Sequence, residues 1–178
     1  MVVRRRLNIA GQQMVFITTT VKNWTPIFSN EQIAEIVILQ FHETMLFNRI
    51  SIVAYALMPS HIHALLGLKE IKRLSKALQS FKSLSARKVR PLLPQEKMPA
   101  FWNGTSYQFW KPRFDDLIIW SDKQFQIKVN YIHQNPVKAG LVEQAVDYKF
   151  SSAGDWILGE RGLIPVEKNW SWLEEKVS

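Results

Sequence analysis

The chain has 178 residues, of which 47% are hydrophobic, and no cysteine. This excludes a disordered polymer, disulfides and thiolate metal sites, and it favours one globular domain in a reducing, cytoplasmic setting. A formal charge of +8, interleaved with seven Trp, ten Phe and four Tyr, favours nucleic acid over membrane as the polyanionic partner, because aromatic rings stack on bases.

The basic start, Met-Val-Val-Arg-Arg-Arg-Leu, is not followed by a continuous apolar segment, so no signal peptide is expected. No window reaches the ~18 uncharged apolar residues of a membrane helix. Met14 to Val21, rich in Val, Phe, Ile and Thr, predicts a strand. Ser29 with Gln32 forms a capping box that opens an amphipathic helix through Ile33, Ile36, Val37 and Phe41, ending near Phe47 and Asn48. Arg49 to Leu57 reads as a second strand, and Ser60 to Leu68 either continues it or pairs with it as a hairpin through Met58-Pro59. Apolar residues occupy both alternate sets there, the mark of a central strand covered on both faces.

Ile71 to Val89 is the clearest helix, with Leu74, Ala77, Leu78, Phe81 and Leu84 at helical spacing. From Lys72 to Arg90 it carries seven basic residues and no acid: Lys72, Arg73, Lys76, Lys82, Arg87, Lys88 and Arg90. A solvated face is the ordinary fate of such a run. One sign of charge over five turns repels itself, however, which favours a phosphate-facing surface. Pro91 to Gly104, with three prolines, is a loop, and Tyr107 to Ile119 is one or two strands interrupted at Pro112. Ser121 with Gln124 caps a further helix, expected to stop near Asn135 because Pro136 disfavours helical geometry before it. Leu141 to Trp156 is a short return segment. Strands and helices in this order predict an α+β fold, an antiparallel sheet with helices mainly on one face.

Two constellations carry chemistry. On a strand, residues i and i+2 share a face, so His61 and His63 project together as a two-nitrogen seat for a divalent metal. A lone His-x-His also arises by chance, one imidazole in a hydrogen-bond network and the other exposed. In the helix before Pro136, Gln124, Lys128, Tyr131 and Asn135 share one side, while Phe125, Val129 and Ile132 share the side that packs on the sheet. Tyr131 therefore leaves the apolar stripe, where a core tyrosine would sit. A phenol is a poor nucleophile at neutral pH and needs a metal or base beside it to attack phosphorus. Asn135, one turn on, offers an oxygen as a third ligand, and His133 lies on a different side, as a structural residue or helix-end hydrogen bonder.

The strings Met58-Pro-Ser-His-Ile-His63 and Tyr131-Ile-His-Gln-Asn-Pro-Val-Lys-Ala-Gly-Leu-Val142 resemble the HUH single-tyrosine transposases, and within them the REP-associated tyrosine branch. The resemblance runs from about Val15 to Trp156. It includes Phe109-Trp110-Lys-Pro-Arg-Phe114-Asp-Asp116 and Tyr148-Lys-Phe-Ser-Ser152. Here the chain departs from the family: Lys111-Pro112-Arg113 follows Trp110, and Asp115 stands where other members often carry His or Tyr. Asp116 has an equally good structural role, capping a turn or pairing with an Arg.

The resemblance implies a ferredoxin-like fold over a single domain, residues 1–178, with its core at about 14–156. It implies that His61, His63 and Asn135 hold Mg²⁺ or Mn²⁺ and that Tyr131 is the nucleophile. The substrate would be single-stranded or hairpin DNA, cut through a covalent 5′-phosphotyrosine, by a monomer or a homodimer. On the basic helix, Lys72, Arg73, Lys76, Lys82, Arg87 and Lys88, with Lys128, are the expected DNA contacts. Two other readings stay open: a non-catalytic DNA-binding module on the same fold, and a metal-dependent phosphodiesterase that uses water.

Overall fold

A computed structural model describes residues 11–170. The basic start and the end of the tail, residues 1–10 and 171–178, lie outside the described residues. In chain order the elements are β1 (Gln13–Thr20), α1 (Glu31–Phe47), β2 (Ile50–Met58), β3 (His61–Leu68), α2 (Arg73–Val89), β4 (Asp115–Ile119), α3 (Asp122–Lys138) and the short α4 (Ala153–Ile157). The sheet runs β2-β3-β1-β4 with every neighbouring pair antiparallel. That order, with α1 and α2 as the connections, is the ferredoxin-like arrangement expected from the resemblance.

The alternation of side chains assigns the two faces. Val15, Ile17, Ile62, Ala64 and Leu66 turn toward α1 and α2, which bury Ile33, Val37, Phe41, Leu74, Leu78 and Phe81 against them. Met14, Phe16 and Leu65 turn the other way, toward Val129 and Ile132 of α3. Two of the three long helices thus share one face, and the third covers the other. β3 lies between β2 and β1 and is buried throughout after His61, as a strand covered on both sides should be. A bulge at Ile52/Ala54 turns both Val53 and Ala54 toward the α3 side. Among the described residues no helix is long and apolar enough to cross a membrane.

The structure moves several expected boundaries. The cap of α1 is Asn30, not Ser29: its side chain accepts the Ile33 N–H at 3.1 Å, because Ser29 is used to close the 3₁₀ turn Ile27–Ser29. In α2 the buried position one turn after Phe81 belongs to Ser85, and Leu84 is only half-buried. The Ser85 hydroxyl donates to the Phe81 carbonyl at 2.7 Å and accepts the Trp110 indole N–H at 2.9 Å. Only Asp115–Ile119 of the expected strand region pairs as a strand, while Tyr107 and Trp110 make isolated bridges to Trp102 and Val21. Pro112 lacks a ladder donor, and the Lys82 ammonium gathers the carbonyls of Lys111 (2.8 Å), Pro112 (3.4 Å) and Arg113 (3.0 Å) into a turn.

Helix α3 does not stop at Asn135 but continues to Lys138 with Pro136 inside it. The proline forfeits one hydrogen bond, and the helix is terminated four residues after it by Gly140, whose φ of 69° is the left-handed conformation glycine adopts freely. Gly140 N–H donates to Val137 C=O and Leu141 N–H to Pro136 C=O, both at 2.9 Å, a Schellman ending. Burying Val129 and Ile132 contributes about 1.5–3 kcal/mol each. Those two contacts fix the rotation of α3 and hence the direction of Tyr131.

Candidate active site

The β3 alternation puts His61 and His63 on the α3 face. Their Nε2 atoms are 3.1 Å apart. The Thr18 hydroxyl lies 2.7 Å from His63 Nδ1, brought there by the β1–β3 register that pairs Thr18 with His63, and the Ser60 hydroxyl lies 3.2 Å from His61 Nδ1. Burial pushes the His61 imidazole down to about 4. His63 falls to about 3, through burial first and then through the nearby His61 and Lys128 charges. Both rings are therefore neutral at pH 7, and at this separation an Nε2–H of one can donate to the bare Nε2 of the other.

This pair fits a divalent cation. Two nitrogens about 2.1 Å from an octahedral ion stand about 3.0 Å apart when adjacent, close to the separation found here. A cation would take the place of any proton between the two Nε2 atoms, with each Nδ1–H then donated to the Ser60 or Thr18 hydroxyl, so the outer hydroxyls would orient the rings. Asn135 sits one turn past Tyr131, and its Nδ2 donates to the Tyr131 carbonyl at 2.8 Å. Its carbonyl oxygen is the only atom of that amide suited to a metal. Among the described residues no group of three His, Asp, Glu or Cys side chains forms a metal cluster.

Tyr131 is 36% exposed on α3 while its helix neighbours Ile132 and His133 are buried. Its ring centroid is 5.3 Å from that of His63. Phe16 lies between helix and sheet as a spacer, stacked on His63 at 5.6 Å and edge-on to Tyr131 at 5.8 Å. Lys128, one turn before the tyrosine, holds its ammonium 4.5 Å from the Phe16 ring centroid and 5.2 Å from that of Tyr131. Phenol, imidazole pair and a cation thus meet on one sheet face. Gln124, expected on the same side, instead accepts the Trp120 N–H at 2.8 Å and completes the helix cap, with Ser121 accepting the Gln124 N–H at 3.3 Å.

The basic helix is elsewhere. α2 lies on the opposite sheet face, so of the seven basic residues singled out only Lys128 stands at the tyrosine. Lys72 and Arg73 pair with Glu70 at 3.1 and 2.7 Å, and Lys88 pairs with Glu43 at 3.3 Å. Lys82 is committed to the three carbonyls of the 111–113 turn, where burial pushes its ammonium down to about 8. Lys76 and Arg87 are exposed along α2. Sequence reasoning missed Thr18, Phe16 and Trp24, whose indole stands 5.4 Å from His61. Only Ser60 had a visible signal, as the residue before His61.

Comparison with known proteins bears on family and fold. The family model described as "Transposase IS200 like" matches residues 11–135, a stretch holding both histidines, Tyr131 and Asn135. A REP-associated tyrosine transposase of Escherichia coli K12 is 40% identical over 58 residues, 33% of this chain and 34% of that one. A Haemophilus influenzae protein named for the same group is 33% identical over 104 residues, 56% of this chain and 57% of that one. The chain therefore aligns with about a third and just over half of the length of these two relatives. The solved structure of a REP-associated tyrosine transposase bound to a REP hairpin superposes with a TM-score of 0.65. It covers 97% of this chain and 96% of that one at 22% identity, a likeness of fold. On the extent of the family match, which takes in the paired histidines and the helical tyrosine, the chain belongs to the IS200-like transposase family.

Proposed function

We propose that this chain nicks and rejoins single-stranded, hairpin-bearing DNA in the cytoplasm through a covalent tyrosine intermediate, in DNA transposition. The observation that carries the reading is the meeting of Tyr131 with the His61–His63 pair on one sheet face. The Tyr131 oxygen forms a bond to the scissile phosphorus as the bond to the 3′ oxygen breaks. The phenol proton passes to solvent, and the departing oxygen takes a proton from water to become a 3′-hydroxyl. The product is a 5′-phosphotyrosine, and the reverse attack by a 3′-hydroxyl joins strands.

His61, His63 and Asn135 would hold Mg²⁺ or Mn²⁺. When bound, the ion supplies polarisation of the scissile phosphate and stabilises charge on its oxygens. Thr18 and Ser60 keep the imidazoles turned toward that position. Lys128 adds a positive charge beside the attacking ring, where the phosphate must come.

The test is a denaturing gel of wild type and Tyr131→Phe with end-labelled single-stranded hairpin DNA and Mg²⁺. Wild type should form a denaturation-resistant adduct and a nicked product. Tyr131→Phe removes one oxygen from a partly exposed side chain, so stability should change by less than about 0.5 kcal/mol and binding should persist. Both adduct and product should vanish. Persistent nicking by the variant would point to a water-using phosphodiesterase, and no cleavage by the wild type to a pure binding module.

A further inference from the structure

We infer that Trp24 is a stacking platform for an unpaired nucleobase of the DNA strand that reaches Tyr131, an inference that rests on the DNA-cutting reading above. Trp24 is 54% exposed, although a side chain of this size ordinarily contributes by burial. Its ring stands edge-on to the His61 imidazole at 5.4 Å, and the Lys111 ammonium lies 4.5 Å from its centroid. An open aromatic surface and a cation therefore sit directly beside the paired histidines. That combination suits a single-stranded nucleotide, with base on indole and phosphate on ammonium, and it is tolerant of base identity.

The backbone is held to keep the indole there. Asn23 and Trp24 have φ of 56° and 55°, two consecutive non-glycine residues in the left-handed region, a conformation that persists only when its surroundings over-determine it. They do so here. Val21 N–H donates to Ser60 C=O and Lys22 N–H to Phe109 C=O, both at 2.8 Å. The Lys22 ammonium donates to Trp102 C=O at 2.8 Å, and Asn23 Nδ2 to Ala100 C=O at 3.3 Å. Because Thr20 pairs with His61, this short turn carries the chain from the end of β1 back over the first histidine. Burial of Trp24 does not explain the strained turn, since more than half of the residue is open to solvent.

The test uses a single-stranded hairpin oligonucleotide with unpaired tails, carrying 2-aminopurine at each tail position in turn. It is bound to the full chain with the Tyr131→Phe substitution, which leaves the DNA intact. Stacking on indole should quench the fluorescence at one tail position. Trp24→Gly, which removes the ring and accepts the left-handed φ without strain, should abolish that quench and weaken binding on the order of tenfold. Trp24→Phe should restore part of both. If no tail position shows quenching that depends on Trp24, the proposal is overturned. A loss of adduct in Trp24→Gly with the quench unchanged overturns it too, since the indole would then only steady His61. The adduct assay with the Tyr131 wild type is independent: its failure would remove the tyrosine chemistry while the stacking signal stood.

Discussion

Three histidines occupy this small region, and their surroundings give them different work. His61 and His63 face each other with their outer nitrogens on hydroxyls, a pair open to a cation. His133, two residues after Tyr131, is buried on the other side of α3 with Nε2 2.9 Å from the Ser152 hydroxyl, which also accepts the Tyr55 N–H at 2.9 Å. It joins α3 to the return segment, a structural role of the kind its helical position predicted. Burial pushes its imidazole down from 6.5 to about 4. Between pH 6.5 and 4 the unfolded chain thus binds a proton that the native protein refuses, so stability is fully present above pH 6.5 and falls as the pH drops through that window. The slope approaches about 1.4 kcal/mol per pH unit for each such group. His61 and His63 act in the same direction in metal-free protein. Urea denaturation from pH 7 to pH 4 should show this loss, and His133→Gln should make it shallower by up to one proton. An identical slope in the variant would assign the acid sensitivity to other groups.

Helices α2 and α3 divide the electrostatic labour. α3 brings one cation, Lys128, to the tyrosine, whereas α2 carries its charge on the far face, much of it already engaged with Glu70, Glu43 and the 111–113 turn. If α2 nevertheless follows DNA, as its one-signed charge suggests, Lys76 and Arg87 are the residues to reverse, since neither belongs to those ion pairs. Lys82 is unsuitable, because a carboxylate there would repel the carbonyls it now gathers. Each phosphate neutralised contributes about 0.7 to the slope of log affinity against log salt for single strands. Lys76→Glu with Arg87→Glu should therefore flatten the slope by about 1.4 and weaken hairpin binding, with Tyr131 adduct chemistry retained at saturating DNA. An unchanged slope would leave α2 as a solvated face.

Across the whole molecule, the central strand β3 anchors both the site and the far end of the chain. Gly67 lies on the same face as His61 and His63, six and four residues along. A Cβ there would collide with the Trp170 indole. Trp170 belongs to the apolar cluster that seats α3, so the last described segment folds back onto the sheet where only glycine lets it lie flat. Gly67→Ala should destabilise the protein by about 1–3 kcal/mol through overpacking. Adding Trp170→Ala should cost less in that background than alone, because the clash is then relieved. Chemical denaturation of the two single variants and the double variant measures the coupling, and strict additivity would show that the segment does not rest on Gly67.

Local periodicity carried much of the site. The two-residue repeat of a strand put both imidazoles on one face, and the helical repeat separated Tyr131 and Lys128 from Val129 and Ile132. Both follow from backbone geometry within a few residues, so one sequence suffices to read them, and the family strings added the fold. Other features depended on segments far apart in the chain. Thr18 reaches His63 only through the β1–β3 register, Phe16 becomes a spacer only once α3 covers that face, and Trp24 meets His61 only because Val21 and Lys22 are tied to Ser60 and Phe109. The extension of α3 past Pro136 was decided the same way, by packing on the sheet and a glycine ending that outweigh one lost hydrogen bond. The basic run on α2 was visible as charge, but its face was set by Leu74, Leu78 and Phe81 docking beside α1. Charge has no periodic preference for a side of the sheet, and burial of apolar area does.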